Sequence, residues 1–440
     1  MLAYRAGAPI LVREFLGDVE RVGAALGAGA HVLNVCGDRY RFTVGFAACL
    51  VAGKVCLLPS TRTPEVIAHL KSFAPDAVCL TDEDASDIAL PSVRFPEAGP
   101  AARAGTDTPA GTVPGVDPGR RAAWVFTSGS TGTPVPHEKT FGGLVECMRV
   151  EAQRLGIVAG DSHAIVATVP PQHMYGFEAS VLLPLASGNA LVAEQPFYPA
   201  DICAALTRVP RPRVLVTTPI HLRALMAAEL AVPATDLIVC ATAPLPAQLA
   251  SEVEQRARTR LLEIYGTTET GSIATRRTTE TPEWQLWPEV TLEPREGEVW
   301  ALGGHIDQPQ RLCDVIELTG RGRFLLHGRV ADLVNIAGKR SSLAYLNHQL
   351  NSIPGVLDGA FFHAETAAAD AAVTRVGACV VAPGLDAATI TAELRRRIDP
   401  VFLPRPLLLV ERLPRTSTGK LPQQALRSLA SAEQKRDCAR

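Results

Sequence analysis

Ala122-Ala123-Trp124-Val125-Phe126-Thr127-Ser128-Gly129-Ser130-Thr131-Gly132 is the stretch on which the reading of this chain turns. An apolar run of strand length passes directly into two glycines, Gly129 and Gly132, interleaved with the hydroxyls of Thr127, Ser128, Ser130 and Thr131. Glycine lets a backbone approach a phosphate closely and turn its N–H groups inward, and hydroxyls add donors without bulk. A strand that ends in such a loop is therefore expected to cradle phosphate. The loop is not the P-loop of nucleoside triphosphatases, because no lysine follows Gly132 and no G-x-x-x-x-G-K occurs elsewhere.

Outward from this loop, short apolar runs alternate with helical patterns. Phe15, Val19, Val22 and Leu26 share one helical face, and residues 31–35 read as a strand. Residues 42–52 have helical composition, and 55–58 and 77–80 are again strand-length. After a connector at 96–120, rich in Pro, Gly, Ala and Thr, further strands are expected at 122–126, 164–169, 214–217, 237–240 and 261–265. This rhythm predicts parallel sheets with helices outside them. It stops near Thr291, where a β-rich stretch runs to about His327. A smaller unit follows, with strands at 376–382 and 407–410 and a helix marked by Ile390, Leu394 and Ile398. The expectation is α/β: a large N-terminal domain (1–330) of parallel sheets flanked by helices plus a small β-rich subdomain, then a small mobile C-terminal α/β domain (331–440). The charged tail from Ser431 is expected to fray.

The totals exclude several classes of partner. Among 440 residues, 43 basic and 45 acidic side chains leave a net charge of −2, so no global field favours nucleic acid or a membrane surface. No stretch approaches the ~18 apolar residues that span a bilayer. The ten cysteines form no C-x-x-C pair. Reduced thiols in a cytoplasmic enzyme are expected.

Three further segments carry chemistry-bearing residues: Tyr265-Gly266-Thr267-Thr268-Glu269 at the end of an apolar strand, Gly328-Arg329 ahead of Gly338, and Gly419-Lys420 near the end. With the glycine-rich loop, they resemble in kind and order the signatures of the adenylate-forming superfamily of acyl-CoA synthetases, adenylation domains and luciferases. The loop is similar to its T-S-G-[ST]-T-G-x-P pattern, although Val135-Pro136-His137 follows Pro134 where the family has Lys-Gly. Either Lys139 or His137 is a candidate for the missing contact with pyrophosphate, and either is equally readable as a solvated loop residue.

The resemblance implies ATP-dependent activation of a carboxylic acid as acyl-AMP, with Mg²⁺, followed by transfer to a thiol. It implies that Tyr265 packs on adenine, Thr268 contacts the α-phosphate and Glu269 holds the metal, a hard oxygen ligand that suits Mg²⁺. Cys240-Ala241-Thr242-Ala243-Pro244-Leu245 resembles S-G-G-A-P-L, the loop between adenine and the acyl pocket, with Thr242 standing where glycine is usual. Asp314 and Arg329 would reach the ribose. Ala331 occupies the usual hinge aspartate, Asp332 follows it, and Gly338 matches the glycine of the pantetheine tunnel. Lys420, in a segment similar to P-R-T-x-x-G-K, would bridge the attacking carboxylate and the α-phosphate, offsetting charge that develops in the transition state.

Pro170-Pro171-Gln172-His173-Met174-Tyr175-Gly176 resembles the segment beside the acyl site, making His173, Tyr175, Phe177 and Thr242 expected pocket residues. Glu178 is a candidate partner for an α-amino group, but Met174 is nearer the expected position. The compact length and residues 31–42 look like the aryl acid:acyl carrier protein ligases of xanthomonadin and aryl-polyene pigment clusters. That implies a hydroxybenzoate-type acid, such as 4-hydroxybenzoate, and a phosphopantetheinylated acyl carrier protein. A CoA ligase, an amino-acid adenylation enzyme and a non-catalytic nucleotide-binding relative remain alternatives.

Overall fold

The computed structural model describes residues 1–84, 87–97, 113–128, 134–157, 160, 162–329, 332–336, 339–364, 375–416 and 421–438, and the side chains of these except Ser128, Arg329, Leu333, Asn335, Arg340 and 434–438. Two large sheets dominate. The first orders Ser92–Arg94, Val78–Thr81, His31–Asn34, Val55–Leu58, Arg121–Ser128 and Pro134–Thr140, parallel throughout except for its last, antiparallel pair. The second has eleven strands. Its centre, Arg260–Thr267, Leu237–Cys240, Arg213–Thr217, Ala164–Ala167, Ala190–Val192 and Ala3–Arg5, is parallel. Antiparallel strands extend it at both ends. The expected parallel sheets are thus present as the centre of a mixed α/β architecture.

The β-rich stretch divides in two. Thr291–Arg295, Glu298–Gly303 and Ile306–Leu312 form a separate three-stranded sheet, whereas Asp314–Gly320 and Arg323–Arg329 join the edge of the eleven-stranded one. The last segment builds a two-stranded ribbon, a three-stranded sheet of Asp358–Ala364, Arg375–Val381 and Leu407–Leu409, and the helices Leu343–Asn351, Ala387–Arg395 and Gln423–Cys438. Its two apolar clusters draw only on residues 334–430 among the described residues. The backbone is helical from Gln423 to Cys438, so the stretch from Ser431, expected to fray, continues a helix whose earlier part buries Leu426 and Ala430.

Local signals account for the elements that carry the site. Thr140 caps the helix Phe141–Leu155 by accepting from the Gly143 N–H, and Gly156 ends it in the left-handed conformation. Asp38 caps Arg39–Val51 through the Arg41 N–H. That helix is buried along most of its length, with Phe42 and Phe46 edge-on to Phe177.

Arg39 begins this helix and is fully buried. Its Nε donates to Ser180 Oγ at 2.9 Å, Nη1 to the carbonyls of Val192 and Glu194 at 3.2 and 3.0 Å, and Nη2 to those of Ala167 and Val169 at 3.1 and 2.6 Å. All five guanidinium donors are satisfied. Burial pulls the Arg39 pKa down to about 10, which leaves it charged at neutral pH. Farther along the chain, Asp358 accepts bidentately from Arg415 at 2.8 and 2.8 Å and contacts Arg223 of the helix Pro219–Ala227 at 3.0 Å. This three-residue bridge ties the C-terminal sheet to the large one.

Arg39→Met is expected to lower the unfolding free energy by about 3–5 kcal/mol, because removing the cation strands buried carbonyls. Urea denaturation measures it. Arg39→Lys recovers only part, since an ammonium offers three donors and no planar fork.

Candidate active site

The glycine-rich loop leaves the end of Arg121–Ser128, and the return strand Pro134–Thr140 pairs back against it. Thr127 Oγ1 lies 2.9 Å from His137 Nε2, which is 3.6 Å from Glu269 Oε1. Burial holds the His137 pKa below its ordinary value against the opposing pull of Glu269, so the imidazole is neutral at pH 7 and this last contact is not an ion pair. Gly129, Ser130, Thr131 and Gly132 lie outside the described residues, as do Ala331, Gly338 and Lys420. Ser128 and Arg329 are described by their backbones alone.

Two of the expected nucleotide residues, Tyr265 of an interior strand and Asp314 of the edge strand, come together in the eleven-stranded sheet. Tyr265 packs its ring against Trp284 and Phe324, with centroids 5.6 and 5.4 Å away, and donates its hydroxyl to Asp314 Oδ2 at 2.8 Å. Asp314 stands directly across the antiparallel ladder from Arg329. Tyr265 and the hairpin that carries Asp314 and Arg329 therefore meet, although 49 residues separate Tyr265 from Asp314. Gly266 and Thr267 continue the Tyr265 strand, and reciprocal bonds between Thr267 and Thr270 close the turn that bears Thr268 and Glu269. Asp332 is half-buried just beyond Arg329.

Thr242, Ala243 and Pro244 follow the strand Leu237–Cys240. Thr242 is exposed and has φ +80°, a left-handed backbone that a β-branched residue rarely adopts. The conformation suited to the family's glycine is retained with a threonine in it. His173 precedes the short helix Met174–Phe177, and Tyr175 donates its hydroxyl to the carbonyls of Val239 and Thr217 at 3.0 and 3.2 Å. Tyr175 can therefore offer a ring face but not a free hydroxyl. Phe177 has no exposed surface; its ring belongs to the core behind the site.

A cavity of about 490 Å³ opens beside Glu269, lined by His137, Lys139, Glu178, His305 and Asp307 among others. Lys139 is not a solvated loop residue. It is partly buried and donates to the Glu269 carbonyl at 2.8 Å, and burial lowers its pKa. The Ser272 N–H donates to Glu178 Oε1 at 3.3 Å, and Ser272 Oγ donates to Glu151 Oε2 at 2.5 Å. Burial drives both acids upward, Glu178 to about 8, helped by Glu151, and Glu151 to about 7. An occupied, protonated Glu178 is a poor partner for an α-ammonium group. His305, which carried no signal in its Gly303-Gly304-His305 turn, donates from Nε2 to the Thr270 carbonyl at 2.9 Å; burial lowers its pKa to about 4.

Glu269 keeps about a third of its side chain exposed at this cavity. No cluster of three or more His, Cys, Asp or Glu fit to enclose a metal occurs among the described residues. One accessible carboxylate suits Mg²⁺, which fills most of its octahedron with water and phosphate oxygens. The nine cysteines whose side chains are described are free thiols, buried except Cys203 and Cys313. No helix among the described residues is long and apolar enough to cross a membrane.

A family model described as AMP-binding enzyme matches residues 12–298. A 4-coumarate–CoA ligase of Cereibacter sphaeroides is 30% identical over 311 residues, covering 69% of this chain and 71% of its own. One of Rhodobacter capsulatus is 29% identical over 298 residues, covering 67% and 73%. The crystal structure of ATP-bound MatB from Rhodopseudomonas palustris superposes with a TM-score of 0.80 over 97% of this chain and 95% of that one; at 20% identity this is a likeness of fold. The architecture is that of the adenylate-forming enzymes. The chain belongs to the AMP-binding enzyme family.

Two outcomes follow from the site's strain and charge. Thr242→Gly is expected to stabilise the protein by about 1 kcal/mol, read from urea unfolding, by relieving the left-handed threonine. Glu151 and Glu178, raised from an ordinary 4.5, hold protons that the unfolded chain releases. Their contribution is full below about pH 4.5 and is lost as pH rises through about 7 to 8. His221 and His305, lowered from 6.5 to about 4, act in the opposite window, losing stability as pH falls below 6.5. The urea midpoint should fall between about pH 6 and about pH 9, and fall less in Glu151→Gln, which cannot ionise.

Proposed function

We propose that this protein activates an aromatic carboxylic acid with ATP as an acyl-AMP and passes the acyl group to a phosphopantetheine thiol. The observation that carries the reading is the junction of Tyr265, Asp314 and Arg329. It sets an aromatic ring beside a carboxylate and the backbone of an arginine strand, at the end of the strand Arg260–Thr267 and just ahead of the turn that bears Thr268 and Glu269. Open α/β sheets take ligands at such carboxyl ends.

In this reading Tyr265, Ala243 and Pro244 bound the adenine, Asp314 and Arg329 take the ribose hydroxyls, and Gly266, Thr267 and Thr268 adjoin the α-phosphate. Thr127 with the 128–132 loop cradles the triphosphate. Glu269 would hold Mg²⁺, which when bound neutralises charge on the phosphate oxygens. A carboxylate oxygen of the acid attacks the α-phosphorus, forming the mixed anhydride. The bond from phosphorus to the bridging oxygen breaks, and pyrophosphate leaves with its electron pair. Lys420 bridges the attacking carboxylate and the α-phosphate. Residues 331–440 then rotate about 331–332, Lys420 withdraws, and a thiol guided past Gly338 attacks the acyl carbon. The thiol proton is lost to solvent, the thioester forms and AMP departs.

His173, the Tyr175 ring and Thr242 are the proposed acid-facing groups. The relatives' names, 4-coumarate–CoA ligase, support an aromatic acid of the hydroxycinnamate or hydroxybenzoate kind and CoA as the thiol. The carrier-protein alternative rests on the compact chain and residues 31–42, and pantetheine is common to both acceptors.

ATP–pyrophosphate exchange across benzoates, cinnamates, fatty acids and amino acids is expected to respond to a hydroxylated aromatic acid, and thioester formation with CoA or carrier protein then names the acceptor. Response only to fatty or amino acids overturns the aromatic reading. Lys420→Ala is expected to lower exchange by about 10²–10³-fold while sparing thioester formation from preformed acyl-AMP.

A further inference from the structure

The turn that carries Glu269 is held from behind by three separate elements. Lys139, on the strand Pro134–Thr140, donates to the Glu269 carbonyl. His305, between the strands Glu298–Gly303 and Ile306–Leu312, donates to the Thr270 carbonyl. Glu178 accepts the Ser272 N–H. The packing is tight: at Gly271, with φ +71°, an added Cβ would stand 2.5 Å from Glu178 Oε1. Consecutive carbonyls, those of Glu269 and Thr270, are thus pinned by donors whose positions are set by different sheets.

A peptide carbonyl bonded by an ammonium cannot rotate freely, and its orientation sets the direction in which the attached side chain leaves the backbone. Lys139 is partly buried, and it shares a strand face with His137 and Val135 because side chains repeat every second residue. Val135 cannot offer a cation to phosphate. The nearest lysine on that face instead acts two positions beyond His137, on the backbone of the metal-binding turn.

We propose that Lys139 and His305 are positioning residues that aim the Glu269 carboxylate at the metal–triphosphate by fixing the carbonyls of Glu269 and Thr270. This rests on the ATP-dependent reading above. Groups that orient a metal ligand typically change metal affinity about 10–100-fold when removed.

The test is binding of Mn²⁺·ATP, followed by titration calorimetry and by the Mn²⁺ electron paramagnetic resonance signal, with AMP alone as the metal-free control. Lys139→Met and His305→Leu are expected to weaken Mn²⁺·ATP about tenfold or more and AMP less than about twofold. Lys139→Arg and His305→Gln, which restore a donor, should recover most of the loss. In exchange assays KM for the metal–nucleotide should rise more than kcat falls. Unchanged Mn²⁺·ATP binding in both deletions, or equal loss of Mn²⁺·ATP and AMP, overturns the inference. Should Lys139→Met fail to fold, the Lys139→Arg, His305→Leu and His305→Gln series reads the same difference. A selective Mn²⁺·ATP defect in protein that shows no pyrophosphate exchange in the presence of any of the acids would sustain the positioning role while removing the proposed reaction.

Discussion

One buried cation organises the centre of this molecule. Arg39 enters the interior on a helix that belongs to the first sheet, spending its four Nη donors on carbonyls at strand ends of the second and Nε on Ser180. Its partners are carbonyls at or just past the ends of two adjacent parallel strands, Ala164–Ala167 and Ala190–Val192, together with Ser180 in the π-helical turn Glu178–Leu182. The chain departs from one of those ends as Pro170 to Gly176 toward the candidate acyl site. A guanidinium fits there because its planar fork matches several carbonyls at once, whereas a desolvated charge with fewer bonds would cost several kcal/mol. The same contact therefore joins the helix to the second sheet and sets where the segment Pro170 to Gly176 begins.

A second polar layer lies beneath Glu269, and it has a different electrostatic character. Glu151 and Glu178 are carboxyls driven toward their neutral forms by burial, Lys139 has its charge disfavoured by burial, and His305 is held neutral. Low dielectric makes an unbonded polar group expensive, and each of the four is bonded to the turn 267–272. That turn carries a partly exposed carboxylate on a rigid support. The rigidity comes from backbone carbonyls and amides being held, a kind of contact that leaves no residue pattern to recognise.

Much of the frame was legible. The strands at 55–58 and 237–240 are found at their expected bounds, because short β-branched and leucine-rich runs between turn residues have few other solutions. The strand Pro134–Thr140 was not, since two prolines and three charged or imidazole side chains argue against it; it survives as a sheet edge, where Pro136 need not donate. The tail helix was obscured by the charges that crowd its last residues, Glu433 to Asp437. The bond between Tyr265 and Asp314 spans 49 residues of sequence and is a tertiary fact.

By itself the sequence determined the order of motifs, the parallel α/β centre and the residue types available for chemistry, since these depend on local propensity, periodicity and composition. Only the tertiary structure decided which of those residues meet. Lys139 became an internal donor, Phe177 a core ring and His305 a support for the Glu269 turn because sheets distant in sequence converge on one cavity. Convergence of that kind is set by packing and burial across the whole chain, which no local pattern encodes.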